Sequence, residues 1–400
     1  MRRLVVLISL LTLLVAVPAH AAGLATTRKV LAREMARAGG SSGAYVLDLT
    51  NGRELYAGKP DVGRMPASVE KLYTSSTALL LHGADGHLTT TVLADQLPDE
   101  TGTIAGDIVL RGGGDPTFGT AAAASFAQQL ADGGVTRVEG RVIGDESAFD
   151  GFRGPPSEGY RTSSEVGPLS ALSFNHGRTG LRSPYFQASP AKFAAEAFQR
   201  ALKARGVKVL GKPKAGFASA AMTPLSELQS PAISGIVRQM NQPSDNYIAE
   251  TLIKGLGAQF GTAGSTAAGA KVVRDTVGQF GISPKVTDGS GLSRSDRTTP
   301  REVVTLLKGM SESAVADAFD QSLPVVGRNG TVYNRMRGTA AQDHCHAKTG
   351  TLHDVSALAG YCTSTGGKRI AFAFLMNRVW PATARTLQDR MTTALARYTG

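Results

Sequence analysis

Ser68 and Lys71 stand three residues apart in Met65-Pro66-Ala67-Ser68-Val69-Glu70-Lys71-Leu72, and a helix-forming run to Leu81 follows. On a helix that spacing puts both side chains on one face, one turn apart. The lysine amine can then reach the serine hydroxyl. A serine hydroxyl is a weak nucleophile until a base takes its proton. A lysine serves as that base only where burial or positive neighbours hold it neutral. Alone, the pair is a common pattern. It recurs at Ser189-Pro190-Ala191-Lys192, and a serine at a helix start is equally an ordinary N-cap.

Two later triplets give the pair a context. Ser244-Asp245-Asn246 and Lys348-Thr349-Gly350 follow it in that order, and Lys-Thr-Gly occurs once in the chain. A helix over 233–240 must stop before Gln242-Pro243, because the residue before proline disfavours helix. The serine triplet then opens a second helix over 247–256. The plain alternatives are an N-cap for Ser244 and a local backbone bond for Asn246. A decoy, Ser173-Phe174-Asn175, has strand-like neighbours and ranks below it. Lys348 lies on a strand over 346–351, which turns within 352–355 and returns over 356–361. In a hairpin centred between His353 and Asp354, Cys345 falls opposite Cys362. Opposed residues of a non-hydrogen-bonded pair lie close enough for a disulfide, so that bond is expected. His344 and His346 share one strand face, but no acid or cysteine pattern accompanies them, and no metal site is expected.

The segments that must position these residues can be laid out in order. Residues 1–21 have the make-up of a secretory signal. Arg2 and Arg3 precede apolar residues 4–17, and Ala19-His20-Ala21 offers a small-x-small cleavage site. No later stretch is long and apolar enough to span a bilayer. The mature protein is therefore expected to be secreted, periplasmic or wall-associated, where a disulfide persists. The formal net charge is +11, of which the two signal arginines carry two. No lysine- or arginine-rich run points to nucleic acid. A basic exported chain suits an anionic envelope polymer, or simply has a solubilising surface.

About 380 mature residues exceed one ordinary core. We expect an α+β protein with one catalytic domain, 22–89 with 233–400, and an inserted domain over 90–232. Residues 26–38 suggest a helix and 44–49 a strand, with a hairpin turn at Asn51-Gly52. Gly39-Gly40-Ser41-Ser42-Gly43 has the form Gly-x-Ser-x-Gly, but with helix before and strand after it is expected to be a loop. The insert should hold strands over 106–111 and 138–143 and helices over 121–133 and 192–206. The loop Asp288-Gly289-Ser290-Gly291-Leu292-Ser293-Arg294 either borders the cleft or is a structural turn. A strand over 368–377 alternates Ile370, Phe372 and Phe374. In the closing helix Leu387, Met391, Ala394, Leu395 and Tyr398 share one face, which should pack on the sheet.

The three motifs together resemble those of penicillin-binding proteins and class A β-lactamases. The spacing of 176 residues from Ser68 to Ser244 is far longer than in class A β-lactamases. That spacing resembles the class C low-molecular-mass penicillin-binding proteins, the D-alanyl-D-alanine carboxypeptidase/endopeptidase family of the penicillin-binding protein 4 type. Arg111-Gly112-Gly113-Gly114-Asp115-Pro116, Leu169-Ser170-Ala171-Leu172-Ser173-Phe174-Asn175 and the Asp288 loop are also similar to that family.

The resemblance implies a serine β-lactamase/D,D-peptidase-like domain, an antiparallel sheet flanked by helices, carrying a large α+β insert. It implies an acyl-enzyme on Ser68 from the D-Ala-D-Ala of peptidoglycan stem peptides, with Lys71 as base and Ser244 as proton relay. Asn246, Lys348, Thr349 and Thr351 would bind substrate, with Lys348 drawing its terminal carboxylate. The backbone N–H groups of Ser68 and Thr351 would form the oxyanion hole. β-Lactams would acylate the same serine, and neither metal nor other cofactor is implied. Asp145 is the candidate acid for a free amino group on the substrate, with a solvated acid as the plain alternative. Two other functions compete. A β-lactamase of class A needs a glutamate for its deacylating water, and no Glu-x-x-Leu-Asn lies between Ser68 and Ser244. A non-catalytic envelope-binding protein would not need the Ser–Lys pair.

Overall fold

The computed structural model describes residues 22–180 and 183–400. The signal-like segment 1–21 lies outside the described residues. The fold is built around the strand Arg369–Asn377. Ile370, Phe372, Phe374 and Met376 face one side of it and Ala371, Ala373 and Leu375 the other. This is the two-residue period of a strand buried on both faces. Around it runs a five-stranded sheet in the order Cys345–Leu352, Val355–Thr363, Arg369–Asn377, Ser42–Asp48, Arg53–Gly58, antiparallel throughout. The large side chains meet Leu31 and Met35 of helix Leu24–Arg37 and Leu387, Met391 and Leu395 of helix Pro381–Ala396. Each such fully buried side chain contributes roughly 1.5–3 kcal/mol. On the small-residue face the core is completed by helices Lys71–His82, Ile233–Asn241, Asn246–Phe260 and Pro300–Ser311.

The segment between these helices makes a second layer. Its mixed sheet has the order Thr223–Gln229, Thr89–Ala94, Ile108–Arg111, Val142–Asp145, Lys214–Ala215. The first two pairings are antiparallel and the last two parallel. Helices Thr120–Asp132 and Pro190–Ala204 supply its core through Phe126, Leu130, Phe198 and Leu202. The run expected as one strand over 138–143 is two. Arg137–Val138 pairs with Thr103–Ile104, whereas Val142–Asp145 pairs with Ile108–Arg111. Between them Gly140 lies on the Gly106 backbone, where a Cβ would come within 2.3 Å. The close approach of the two backbones lets the chain step from one sheet to the other. Where the segment leaves and rejoins the first layer, its two ends hold each other. Ser230 N–H donates to the Leu88 carbonyl at 2.8 Å, and Leu88 N–H donates to Ser230 Oγ at 3.0 Å.

The second layer also reaches back over the first. Lys254, buried in helix Asn246–Phe260, donates to Asp150 Oδ1 at 2.6 Å. Val166 and Leu169 pack on Tyr247. Glu165, next to Val166, is thereby brought to the rim of the cleft described next. Among the described residues no helix is long and apolar enough to cross a membrane.

Candidate active site

Ser68 sits in a one-turn 3-10 segment, Ala67–Glu70, that runs directly into helix Lys71–His82. Its hydroxyl caps no helix. Ala67 before it takes φ +48°, the left-handed region that costs a side chain of this kind free energy. Gly291 of the Asp288 loop fits against this turn, with φ +82°, where a Cβ would stand 2.0 Å from the Ala67 carbonyl oxygen. The turn is thus clamped from behind, and the Ser68 side chain faces a cleft of about 650 Å³.

Lys71 is wholly buried. Its Nζ lies 2.7 Å from Asn246 Oδ1, 2.7 Å from the Ser290 carbonyl and 3.1 Å from Ser68 Oγ. A neutral lysine amine has two hydrogens and one lone pair. The two short contacts go to acceptors that cannot donate, so they take both hydrogens. The lone pair then faces Ser68. Burial lowers the Lys71 pKa, while Asp288, Glu250, Asp245 and Glu70 pull it back up, leaving it at about 8.

Lys348 is equally buried, but it is bonded elsewhere. It donates to Ser244 Oγ at 2.7 Å and to the Thr349 carbonyl at 3.0 Å. Burial, with the Lys71 charge nearby, holds it well below an ordinary lysine. Its amine lies beneath Ser244, which lines the cleft where Lys348 itself does not. Ser244 is no N-cap. Asp245 takes that position, accepting from Ile248 N–H at 2.8 Å. Ser244 adopts φ +65°, which frees its hydroxyl for Lys348.

The Lys348 strand is an edge strand, and its register decides what it offers. Cys345 pairs with Cys362, the two form the expected disulfide, and their Cα atoms are 4.1 Å apart. Such a short distance marks a non-hydrogen-bonded pair, so alternate residues turn N–H and C=O away from the neighbouring strand. Cys345 and Ala347 do so, bonding Val326 N–H and the Pro324 carbonyl. By the same alternation Thr349 and Thr351 direct their backbone outward, along the cleft. Gly350 between them lies on the Ser68 turn, where a Cβ would come 2.5 Å from the Pro66 carbonyl oxygen and 3.0 Å from Ser68 N.

The cleft therefore gathers Ser68, Ser244, Asn246, Thr349 and Thr351, with Lys71 and Lys348 directly beneath. Other residues at its rim carried no sequence signal. Glu165 accepts from Asn246 Nδ2 at 3.2 Å, and Arg385 Nη2 lies 3.3 Å from Thr351 Oγ1. Thr331 accepts from Thr349 Oγ1 at 2.8 Å. The Asp288 loop combines both readings offered for it. Asp288 accepts from Gly291 and Ser293 N–H, each at 2.7 Å, as a structural turn does. The same turn aims the Ser290 carbonyl at Lys71, and Leu292 lines the cleft.

Three buried acids, Glu70, Glu250 and Asp288, act on Lys71 from behind, and a fourth, Asp296, lies beside Asp288. Burial raises all four pKa values, with Glu250 at about 8 and Asp296 at about 9.

Several other candidates are engaged elsewhere. Asp145 is buried and accepts from Ser147 and Ala218 N–H, so it is neither solvated nor in the cleft. Burial of its strand's end within the second sheet decides this. The decoy Ser173 bonds Tyr247 Oη at 2.7 Å and braces the helix that carries Asn246. Ser189 precedes helix Pro190–Ala204, and Lys192 is exposed. His346 meets Asp320 at 3.0 Å.

A serine hydroxyl that faces the lone pair of a buried amine, beside an edge strand with outward backbone, can accept and release an acyl group while the amine takes and returns the proton. That chemistry agrees with what the chain is similar to. It matches the family described as D-Ala-D-Ala carboxypeptidase 3 (S13) over residues 27–182 and 185–398. A D-alanyl-D-alanine carboxypeptidase of an Actinomadura species is 29% identical, over 90% of this chain and 82% of that protein. A carboxypeptidase DacB of Mycolicibacterium smegmatis is 31% identical, over 88% of this chain and 79% of its own. Penicillin binding protein 4 of Haemophilus influenzae has the same fold, with a TM-score of 0.78 at 19% identity over 92% of this chain and 99% of that one. The chain belongs to the D-Ala-D-Ala carboxypeptidase 3 (S13) family of serine peptidases.

Proposed function

We propose that Ser68 is the nucleophile of a D-alanyl-D-alanine carboxypeptidase acting on peptidoglycan stem peptides outside the cytoplasm. In this reading 22–89 with 233–400 form the peptidase domain and 90–232 an insert that walls its cleft. The observation that carries the reading is the Lys71 amine, 3.1 Å from Ser68 Oγ with both hydrogens engaged elsewhere.

The stem peptide lies extended along Thr349–Thr351 and pairs with their outward backbone, as an added strand does. Ser68 Oγ attacks the carbonyl between the two D-alanines as its proton passes to Lys71. The negative charge that develops on the carbonyl oxygen meets the N–H groups of Ser68 and Thr351. The proton reaches the leaving amine through Ser244, whose hydroxyl is oriented by Lys348 at 2.7 Å. Asn246 fixes Lys71 with its carbonyl oxygen and offers its amide to substrate. Water then attacks the ester, Lys71 again taking the proton, and Ser68 is regenerated. The terminal carboxylate sits between the Thr349 and Thr351 hydroxyls and the Arg385 guanidinium. A D-alanyl cross-link presents the same acyl side to Ser68, so endopeptidase cleavage uses the same residues.

A β-lactam enters by the same route, because its ring amide and carboxylate stand in for the D-Ala-D-Ala bond and terminus. The Haemophilus protein has also been solved in complex with a β-lactam. The test is intact mass after incubation with benzylpenicillin, on the protein and on Ser68→Ala. One stable adduct that the variant lacks is the expected result. Fast penicillin turnover without an adduct would instead make the protein a β-lactamase. Neither adduct nor turnover would leave a non-catalytic binding protein.

A further inference from the structure

The charge of this protein is unevenly placed. Residues 22–400 carry +9, because Arg2 and Arg3 account for two of the +11. Residues 190–215 hold seven basic residues against one acid, Glu196, a net of +6. Two-thirds of the net charge thus falls on one segment, made of helix Pro190–Ala204, the short strands Lys208–Val209 and Lys214–Ala215 and the turns that join them. None of these residues lines the catalytic cleft.

The placement of these side chains makes the excess a surface. Arg200, Lys203 and Arg205 at the end of the helix are exposed, as are Lys208, Lys212 and Lys214 beyond it. All six lie outside the salt bridges among the described residues. Lys192 alone is paired, with Glu196 at 3.7 Å, and the adjoining Arg137 is paired with Glu139 at 3.6 Å. Between the helix and the strand Lys208–Val209 runs an open groove of about 720 Å³, lined by Arg200, Lys203 and Lys208, by one acid, Glu196, which Lys192 pairs, and by Leu210 and Pro213. Unpaired like charges along one segment repel one another, and an oppositely charged ligand reduces that repulsion.

We propose that this groove binds an extended, phosphate-bearing polymer of the cell envelope, holding the enzyme at the wall while the separate cleft works on stem peptides. The charges are strung over a helix end and two strands, so they suit an anion that repeats along a chain, whereas a single compact ion needs one enclosed hole. A membrane surface fits less well. The apolar face of the helix (Ala191, Ala194, Ala195, Phe198, Leu202) is already buried in the core and cannot enter lipid.

The test uses the whole protein and a soluble linear polyphosphate as probe. The expected result is binding that weakens about fifty-fold between roughly 50 and 200 mM salt, as release of counterions by about four charges predicts. Arg200→Glu with Lys203→Glu and Lys208→Glu should weaken binding more than ten-fold at fixed salt. Acylation by benzylpenicillin should stay unchanged. A control variant carries the same three reversals at exposed Lys29, Arg53 and Lys271, and should bind within about two-fold of the original protein. The proposal is overturned if the original protein does not bind, if the control loses as much as the groove variant, or if anionic lipid vesicles bind more tightly than the polymer. Because acylation is read separately, failure here leaves the peptidase reading intact, and failure there leaves this one intact.

Discussion

Arg385→Gln tests which cation receives the substrate carboxylate. Lys348 is buried, and its Nζ donates to Ser244 and to the Thr349 carbonyl. Arg385 is exposed at the rim, with Nη2 3.3 Å from Thr351 Oγ1. A carboxylate resting on the Thr351 hydroxyl would lie within its reach. A hydrogen bond to a charged group contributes about 1.5–3 kcal/mol. Solvent at the rim weakens it, so about 1–2 kcal/mol is a fair magnitude. That corresponds to roughly 5–30-fold in the second-order acylation rate. The assay compares benzylpenicillin with its methyl ester, which lacks the negative charge. The variant should lose that factor on the acid and stay within about two-fold on the ester. Arg385→Lys should recover part of the loss, and thermal melting should not move, because the side chain is exposed. An equal fall on acid and ester, or no fall on either, would refute the assignment.

Three further outcomes follow from the same geometry. If Lys71 is the base and titrates at about 8, acylation should rise about ten-fold per pH unit below that value and level off above it. A stopped-flow pH profile checks this, and a flat profile from pH 6 to 9 would remove Lys71 from the role. Gly350→Ala places a methyl 2.5 Å from the Pro66 carbonyl oxygen and must push the edge strand off the Ser68 turn. We expect a folded protein by circular dichroism whose acylation falls about a hundred-fold. Replacing Cys345 and Cys362 together by alanine opens a link across 17 residues and should cost about 2–4 kcal/mol in urea unfolding. An unchanged midpoint would show that the hairpin ladder alone fixes the register.

The parts of the site that were legible in the sequence are those carried on short, regular segments. Ser68 and Lys71 share one turn, Asp245 and Asn246 open one helix, and the Cys345–Cys362 pairing follows from counting along one hairpin. What stayed hidden depends on how distant segments meet. Hydrophobic periodicity places Arg385 on the outer face of the closing helix, but it does not say that this face overlooks Thr351, 34 residues earlier. Glu165 lies in a loop whose course is set by Val166 and Leu169 packing on Tyr247. Asp145 looked available because its neighbours in sequence are polar. Its carboxylate is instead consumed by two backbone N–H groups, one of them 73 residues away. The left-handed φ of Ser244 had no marker either, since glycine and not serine is the usual sign of that conformation.

The acids behind Lys71 (Glu70, Glu250 and Asp288, with Asp296 beside them) were hidden for the same reason, and they bear on the base role proposed for that lysine. Both oxygens of Glu70, one of Glu250 and one of Asp296 are buried without a hydrogen-bond partner. Unsatisfied buried polar atoms cost stability, typically about 1–3 kcal/mol each, so packing alone does not account for them. A lysine buried among apolar groups falls to a pKa of about 5–6. It would then be neutral at neutral pH but a poor base, with little drive to take a serine proton. A lysine beside fully ionised acids would hold its proton and be no base. At Lys71 burial is the larger influence and the acids oppose it. Their own pKa values are raised by burial and by one another, which weakens that opposition. In the role proposed for it, an amine balanced near 8 is neutral often enough to act and basic enough to draw the proton from Ser68.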